Sequence, residues 1–346
     1  MTAPVLVTGA TGFVGGLVAA RLLAEGRDVR ALIRRPGDES RISTWGPAGQ
    51  IEGAPEPVGT LSFATGDLDD PESLVRAADG CEVAYHVAGL NTMCLRDATP
   101  LYRNNVDGTA NVLDAAARAG LRRVVYTSST AVLGGGVPPG RPAGETSGPP
   151  HFTSHYARSK YEAEQVALGF DGVEVVAVNP ASVQGPGRRS GTAKLFIDFL
   201  NGKLPFDVPA EFGLCYTDDC AAGHLLAETK GAAGERYILC GATVTSAAAF
   251  DLVGKLAGIG NRPRTLPVAA AMAMAAGVEG VARVRGRKPS LCRETVRTLA
   301  HPHLYDGSRA TRELGLAYTP LETALERSVR WYVDTGLVTR PLPGLA

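Results

Sequence analysis

The sequence predicts an α/β protein with a doubly wound parallel sheet and a smaller, mainly helical C-terminal lobe. Short apolar runs alternate with helical patterns throughout the first half, as expected for parallel strands joined by crossover helices. A glycine-rich turn follows the first run directly, and from about residue 181 helical patterns dominate. We therefore expect one domain over residues 1–180 and a C-terminal lobe over 181–346, parts of which return to the first domain.

Six apolar runs are the expected strands: PVLVT, DVRALI, LSFAT, EVAYHVA, RRVVYTSS and VEVVAVN. Helical patterns separate them at 13–25, 71–79, 101–119 and 155–168. The helix near residue 71 carries a start signal, because Asp69 or Asp70 can cap it and Pro71 suits its first turn. Further helices are expected in the C-terminal lobe at 191–201, 217–229, 246–257, 268–284, 308–314 and 320–335.

Charge and hydropathy exclude several classes of partner. The 346 residues include 35 basic and 35 acidic side chains, so no overall field favours nucleic acid or an anionic membrane surface. The N-terminus has no basic stretch before an apolar core, and a signal peptide is not expected. The longest apolar run, residues 266–278, is too short for a membrane span; we expect a packed helix there, with an interfacial or dimerising helix as the alternative. These features favour a cytoplasmic protein.

Cysteines and loops complete the outline. The six cysteines show no CxxC pair and no compact spacing with histidine, so we expect buried or free thiols in a reducing compartment and no metal site. Two stretches rich in glycine and proline, residues 46–59 and 134–150, are expected surface loops. The second precedes Tyr156 and is positioned to cover a site built there.

The turn VLVTGATGFVGG predicts a phosphate-binding loop of the Rossmann type. Gly9 allows the sharp turn, Gly12 lets the backbone approach a pyrophosphate, and Gly15 permits close packing of helix on strand. The N-terminus of the following helix favours negative charge. The strand before the turn and the helix after it are the context that this motif requires. We expect a bound dinucleotide, with these cofactor-binding residues in the turn: Thr8, Gly9, Thr11, Gly12, Phe13, Val14 and Gly15.

The end of the second strand favours NADP(H) over NAD(H). NAD-selective sites place an acidic residue there, whereas an arginine accommodates a 2′-phosphate. This strand ends with Arg34 and Arg35, and Asp28 lies at its opposite end. The alternative is that both arginines are ordinary surface charges. Asp67, after the third strand, either contacts the adenine or caps the helix beginning near residue 71.

Tyr156 and Lys160 are the expected reacting pair. Residues four apart on a helix share a face, so both side chains can reach one bound molecule. A nearby ammonium is expected to lower the pKa of the phenol and make it a usable acid and base. Tyr156 would then donate a proton to a carbonyl oxygen during reduction, and Ser129 would hydrogen-bond to the same oxygen.

The chain resembles the extended short-chain dehydrogenases/reductases. The motifs that carry the resemblance run in order from residue 4 to about 335: TGATGFVG, GDL, YHVAG, NNVDGTANVLDAA, YTSSTAVLG, YARSK, NPASVQGPG and YTDDCAAGHLLA. Within that family the chain is similar to the dihydroflavonol 4-reductase group and to bacterial hopanoid-associated sugar epimerases.

The resemblance implies further roles. Ser129, Tyr156 and Lys160 match the catalytic residues, and Asn105 matches the asparagine that supports the lysine. The matched segments imply additional cofactor-binding residues: Leu68, Ala88, Gly89, Thr127, Pro180 and Val183.

The expected activity is that of an NADP-dependent reductase or dehydrogenase acting on a carbonyl or alcohol of a small molecule. A redox-neutral, NAD-dependent nucleotide-sugar epimerase or dehydratase is the main alternative, and a non-catalytic NADP-sensing protein is a third. The helices at 101–119 and 155–168 are able to pair two copies into a homodimer.

Several polar residues near these motifs have ordinary structural explanations as well. His301 and His303 have no clear acidic or cysteine partner, so we expect packing or surface positions and no metal. His151 and His155 flank Tyr156, where they either touch the substrate or are solvated. Asn179 either reaches the ligands or makes a structural hydrogen bond.

Overall fold

The structure, a computed structural model, describes residues 3–43, 58–134, 137–138, 140–149 and 151–345. The expected loop at residues 46–59 lies outside the described residues except for its last two positions. The second glycine- and proline-rich loop is described in part.

The main sheet has seven parallel strands in the order β10-β6-β5-β4-β1-β2-β3. The twelve described strands are β1 (Val5–Thr8), β2 (Val29–Ile33), β3 (Leu61–Thr65), β4 (Val83–His86), β5 (Arg123–Thr127), β6 (Glu174–Pro180), β7 (Ser182–Gln184), β8 (Phe206–Asp207), β9 (Glu211–Tyr216), β10 (Arg236–Leu239), β11 (Ala242–Thr245) and β12 (Arg264–Thr265). The strand order reverses between β1 and β4, so the expected doubly wound parallel sheet is confirmed.

Helices cover both faces of this sheet. The described α-helices are α1 (Phe13–Ala24), α2 (Glu39–Ser43), α3 (Pro71–Ala78), α4 (Thr99–Tyr102), α5 (Gly108–Arg118), α6 (His155–Leu168), α7 (Thr192–Leu200), α8 (Thr217–Lys230), α9 (Ser246–Ala257), α10 (Val268–Val284), α11 (Arg293–Ala300) and α12 (Leu321–Asp334). The Asp70 carboxylate accepts from the Ser73 N–H at 3.2 Å and caps α3, as the sequence predicts.

Successive side chains along each strand point to opposite faces of the sheet, and each face carries an apolar core. Val5 and Val7 point to the side covered by α1 and α8, whereas Leu6 points to the side covered by α3, α5 and α6. All three side chains are buried, and that is why the strand reads as a continuous apolar run. The sheet therefore holds its carboxyl edge, where the motif-bearing turns lie, between two packed layers.

The chain after residue 181 contributes both to the main sheet and to a separate C-terminal lobe. Strand β10 pairs with β6 in the main sheet, and α8 packs against α1. The remaining lobe has a three-stranded sheet, β11-β9-β7, and an apolar core that α7, α9 and α12 share. Phe196 and Phe250 lie at the centre of this core with ring centroids 5.8 Å apart.

The expected packed helix at residues 268–278 is instead largely exposed. Of the residues in α10, Ala271 and Ala275 are buried, whereas Met274 and Val284 are 47% and 89% exposed. In the described ranges, no helix combines the length and apolarity needed to cross a bilayer.

The expectation of six free thiols is wrong for two cysteines. Cys94 and Cys292 form a disulfide across 198 positions of sequence. It joins the loop between β4 and α4 to the residue that precedes α11. Cysteines so far apart in sequence give no spacing signal, and only the fold brings them together. The other four cysteines are free and buried: Cys81, Cys215, Cys220 and Cys240.

Candidate active site

A cavity of about 730 Å³, here called the active-site cavity, lies between the main sheet and the C-terminal lobe. Turns that follow the sheet strands line one side of it, including Gly9, Ala88, Ser129 and Ala181. Ligands of open α/β sheets bind at this edge, near the point where the strand order reverses. The motifs singled out in the sequence therefore converge on one space.

The phosphate cradle, residues 9–15, fits a pyrophosphate. Gly9 adopts φ 73°, and a Cβ there would meet the Ala88 backbone N at 2.7 Å. A Cβ on Gly15 would lie 2.2 Å from the Gly9 carbonyl oxygen, so only glycine allows α1 to start this close to β1. No side chain caps α1, and its first turn has no acidic residue. Its N–H groups and positive dipole end are left for an anion.

One end of the cavity contains residues that are expected to determine whether NADP(H) or NAD(H) binds. Arg34, directly after β2, lines the cavity, whereas Arg35 does not line it. Asp67 also lines it, and its carboxylate accepts from the Asp69 N–H at 3.1 Å. Arg41 of α2 also lines the cavity, and no motif in the sequence pointed to it.

Helix α6 presents Tyr156 and Lys160 to the cavity. The Ser154 hydroxyl caps the helix by accepting from the Ala157 N–H at 3.1 Å. Because this cap fixes the start of the helix two residues before Tyr156, the phenol enters the cavity from the first turn. Lys160 is buried one turn later, and its Nζ donates to the Thr127 carbonyl oxygen at 2.7 Å.

Ser129 completes the group of expected catalytic residues. It follows β5, and its hydroxyl accepts from the Ala131 N–H at 3.2 Å. Ser129 also acts on the Tyr156 phenol, whose pKa it lowers. Ser129, Tyr156 and Lys160 therefore line one cavity, as the sequence predicts.

The electrostatics of Tyr156 differ from the expectation. Burial raises the pKa of Tyr156, and the Ser129 hydrogen bond and the Arg188 charge oppose that rise. Lys160 does not lower it: its ammonium lies 4.5 Å from the ring centroid of Tyr126, and burial lowers the pKa of Lys160 to about 7. Desolvation, which the expectation from sequence did not include, has the larger effect on the pKa of both groups.

Asn105 lies behind the cavity and does not line it. Its side-chain oxygen accepts from the Leu90 N–H at 2.7 Å, and its Nδ2 donates to the Leu90 carbonyl oxygen and the Ser159 hydroxyl. It sits in a π-helical turn, Arg103–Asp107, which interrupts the single helix expected at 101–119. Asn105 therefore positions α6 and the loop after β4.

Most of the other expected cofactor residues also line the cavity. This set comprises Gly9, Thr11, Gly12, Phe13, Val14, Gly15, Leu68, Ala88, Gly89, Thr127, Pro180 and Val183. Thr8 does not line it, because its hydroxyl is buried 2.8 Å from the His86 Nδ1 and accepts from the Ala88 N–H.

A family model described as "NAD dependent epimerase/dehydratase family" matches residues 5–240. The chain belongs to this family, the extended short-chain dehydrogenases/reductases. The chain is 33% identical over 342 residues to a Synechocystis sp. protein provisionally named a dihydroflavonol 4-reductase, covering 96% of this chain and 95% of that one. A Methylococcus capsulatus protein named sterol demethylase protein B is also 33% identical over 342 residues, covering 96% and 99%. The crystal structure of gox2253 matches with a TM-score of 0.80 and 32% identity, covering 98% and 100%.

In this family member, the C-terminal lobe supplies part of the cavity wall. Helix α11 lies beside the start of α6, where the Glu294 carboxylate accepts from the His155 N–H. The lining residues from this part of the chain are Thr295, Thr298, Leu299, His301, His303 and Tyr305. Glu294 fixes the wall, because its carboxylate accepts from the Cys94 N–H at 2.7 Å and the His155 N–H at 2.9 Å. Apart from His301 and His303, which the sequence singled out only to exclude a metal site, no motif marks these residues.

The remaining polar residues now have defined positions. His303 lines the cavity, and its ring nitrogens lie 2.7 Å from the Thr298 carbonyl oxygen and 3.0 Å from the Tyr305 hydroxyl. His151 lines the cavity, whereas His155 lies outside it. Asn179 makes a structural hydrogen bond, because its Nδ2 donates to Glu164 at 2.6 Å. Among the described residues, no cluster of three or more potential metal ligands is present.

Proposed function

We propose that the protein is an NADP(H)-dependent reductase or dehydrogenase that transfers hydride between nicotinamide and a carbonyl or alcohol of a small molecule. The observation that carries this proposal is that Ser129 and Tyr156 meet in one cavity, with Lys160 one turn along the helix from Tyr156. All three line the cavity that also contains the phosphate cradle.

The side chains divide the work as follows. A bound nicotinamide dinucleotide supplies or accepts the hydride. Tyr156 donates a proton to the oxygen that gains charge when the carbonyl is reduced. Because burial raises its pKa, the phenol is protonated at neutral pH and ready to act as the acid. The Ser129 hydroxyl lines the same cavity and can donate to the same oxygen. Thr127 holds the Lys160 ammonium beside them.

The preference for NADP(H) rests on Arg34, with Arg35 as a matched neighbour. Both follow β2 and are exposed, but of the two Arg34 lines the cavity. Arg34→Ala is expected to weaken NADPH binding about 10-fold or more and to leave NADH binding nearly unchanged. Arg35→Ala is the control. Equal losses for the two coenzymes in Arg34→Ala would remove the argument for a 2′-phosphate site.

The substrate end of the cavity suits a medium-sized apolar or aromatic molecule. Large apolar side chains line it: Met93, Leu133, Leu195, Phe212, Leu299 and Tyr305. The names of the Synechocystis and Methylococcus relatives, a flavonoid-type reductase and a sterol-processing protein, support a substrate of this kind. A panel of ketones and aldehydes incubated with NADPH or NADH tests the proposal directly. One coenzyme oxidised per product formed is the expected stoichiometry.

The second candidate is a redox-neutral epimerase or dehydratase acting on a nucleotide sugar. The family description favours it, since that description names NAD-dependent epimerases and dehydratases. In that reaction Tyr156 would serve a transient oxidation, and coenzyme would not be consumed. Product formation from a nucleotide sugar without net change in absorbance at the NADH or NADPH band would establish this candidate over the reductase.

We also propose a cytoplasmic homodimer. Helices α5 and α6 lie on the same face of the sheet and offer a pairing surface. Light scattering on the purified chain tests the dimer. Because disulfides persist mainly in oxidising compartments, a cytoplasmic location predicts that Cys94 and Cys292 are reduced thiols in the cell, whereas an oxidising location predicts the disulfide. Thiol labelling of fractionated cells, with and without prior reduction, tests the location.

A further inference from the structure

Arg188 lines the active-site cavity, and no described acidic residue forms an ion pair with it. It lies in the loop between β7 and α7, where its N–H donates to the Gly185 carbonyl oxygen at 3.2 Å. Its guanidinium carbon lies 5.2 Å from the ring centroid of Phe13. The loop turns back at Gly191, with φ 64°, so that a Cβ there would lie 3.1 Å from an Arg188 terminal nitrogen. The C-terminal lobe thus places this side chain against the start of α1.

Other arginines that this fold buries have carboxylate partners. The side chain of Arg236, 17% exposed, pairs with Glu164 at 2.7 Å, and that of Arg123, 13% exposed, pairs with Glu174 at 2.7 Å. For Arg188, no ion pair is formed with any described residue, and its Nε is buried without a hydrogen-bond acceptor. A charge that is removed from water without a partner destabilises the folded chain, unless a ligand supplies the opposite charge.

The start of α1, which Arg188 contacts through the Phe13 ring, also lacks an anionic partner among the described residues. Helix α1 begins at Phe13, and its N-terminus has neither a side-chain cap nor an acidic residue in the first turn. The Phe13 ring contacts Arg188, while the Phe13 backbone belongs to the phosphate cradle. Two positive groups from different lobes therefore border the same cavity, and each lacks a counter-charge among the described residues.

We propose that Arg188 binds a phosphate of the dinucleotide and so closes the phosphate cradle from the C-terminal lobe. The inference rests on the proposed function, since it requires that the chain bind a nicotinamide dinucleotide. A guanidinium suits a phosphate oxygen because it offers several N–H donors in a fixed plane. An acidic group of the substrate has the same chemistry, and the experiment separates the two sources.

The test compares Arg188→Gln with Arg189→Gln in the full-length chain. Arg189 is the matched control, because it is the exposed neighbour whose guanidinium lies 5.5 Å from the Trp331 ring centroid. Calorimetry measures the dissociation constants of NADPH and NADH, and inorganic pyrophosphate is titrated as a competitor. We expect Arg188→Gln to weaken both dinucleotides and pyrophosphate about 10-fold to 100-fold, the range of a charge-assisted hydrogen bond. Arg188→Lys, which keeps the charge, should recover part of that loss.

A second measurement asks whether the anion belongs to the substrate, by comparing KM for a keto acid with KM for its methyl ester. If Arg188→Gln leaves dinucleotide binding unchanged but raises KM for the keto acid alone, the anion belongs to the substrate. If neither dinucleotide binding nor this KM changes, the inference is overturned. Wild-type chain that binds neither NADPH nor NADH would overturn the proposed function together with the inference.

Thermal unfolding of the ligand-free chain separates a binding role from a structural one. Because Arg188 has no acidic partner among the described residues, Arg188→Gln should unfold at the same temperature as wild type or higher. A lower unfolding temperature, with Arg189→Gln unchanged, would show that Arg188 holds the fold together and would count against a binding role.

Discussion

Removing the Cys94–Cys292 disulfide is expected to lower the free energy of unfolding by about 3 to 5 kcal/mol. The bond closes a loop of 198 positions. In the chain-entropy model, a loop of this length reduces the entropy of the unfolded chain by about 18 cal/mol/K, which corresponds to about 5 kcal/mol at 25 °C. Strain in the folded chain and residual structure in the unfolded chain reduce that value, and hence the lower limit is about 3 kcal/mol.

Urea unfolding of the double variant Cys94→Ser/Cys292→Ser against wild type measures this difference. Replacing both residues avoids a leftover reactive thiol. Wild type in excess reductant should reproduce the variant's midpoint, and Cys81→Ser, which alters a free buried thiol, controls for the substitution itself. A difference below about 1 kcal/mol would refute the reasoning, since it would mean that the two segments stay together without the bond or that the bond does not form.

The same variant reports on the site. The disulfide and Glu294 together tie α11 to the loop after β4 and to the start of α6. Helix α11 contributes Thr295 and Leu299 to the cavity wall. We therefore expect the KM of the carbonyl substrate to rise in the double variant, while the dissociation constant of NADPH, bound at the opposite side, stays the same. A change confined to NADPH binding would contradict this division of the cavity.

Three further substitutions test the cavity. Tyr156→Phe should lower kcat for carbonyl reduction about 100-fold to 10,000-fold without changing NADPH binding, because it removes only the proton donor; an unchanged kcat would exclude that role. Burial lowers the pKa of Lys160 to about 7 from 10.5. The unfolded chain therefore binds more protons than the folded chain between those values, and the free energy of unfolding rises with pH across that window. Lys160→Met should flatten this rise in urea titrations, and an unaltered slope would contradict the lowered pKa. Gly15→Ala places a Cβ 2.2 Å from the Gly9 carbonyl oxygen, so calorimetry should detect no dinucleotide binding, whereas Gly277→Ala, whose Cβ meets nothing within 4 Å, should bind normally.

The parts of the fold that depend on local sequence were predictable. The apolar run before Gly9 becomes β1, and the helix expected at 155–168 is observed as His155–Leu168. Each has a signal within a few residues: continuous burial for the strand, and the Ser154 cap for the helix. The positions of Ser129, Tyr156 and Lys160 follow, because Ser129 comes at the end of a predicted strand and the other two lie in the first six residues of a predicted helix.

Features that depend on distant residues were not predictable. The interruption of the helix at 101–119 follows from the bonds that Asn105 makes with Leu90 and Ser159. The strands β9 and β11 pair with each other in the C-terminal lobe, yet short runs such as EFGLCY fit a buried helix or a strand equally well. The disulfide is the extreme case, since no local pattern relates two cysteines 198 positions apart.

The charge balance around Tyr156 connects the two parts of the protein. Sequence alone placed the only relevant cation, Lys160, on the same helix as the phenol. In the structure, Lys160 is held by the Thr127 carbonyl, and the cation that opposes the rise in the pKa of Tyr156 is Arg188, from the C-terminal lobe. A change in how the lobe packs against α1 would therefore alter the acidity of the phenol as well as the shape of the pocket. The lobe that shapes the pocket thus also influences the acidity of Tyr156, although Ser129, Tyr156 and Lys160 all lie in the first 160 positions.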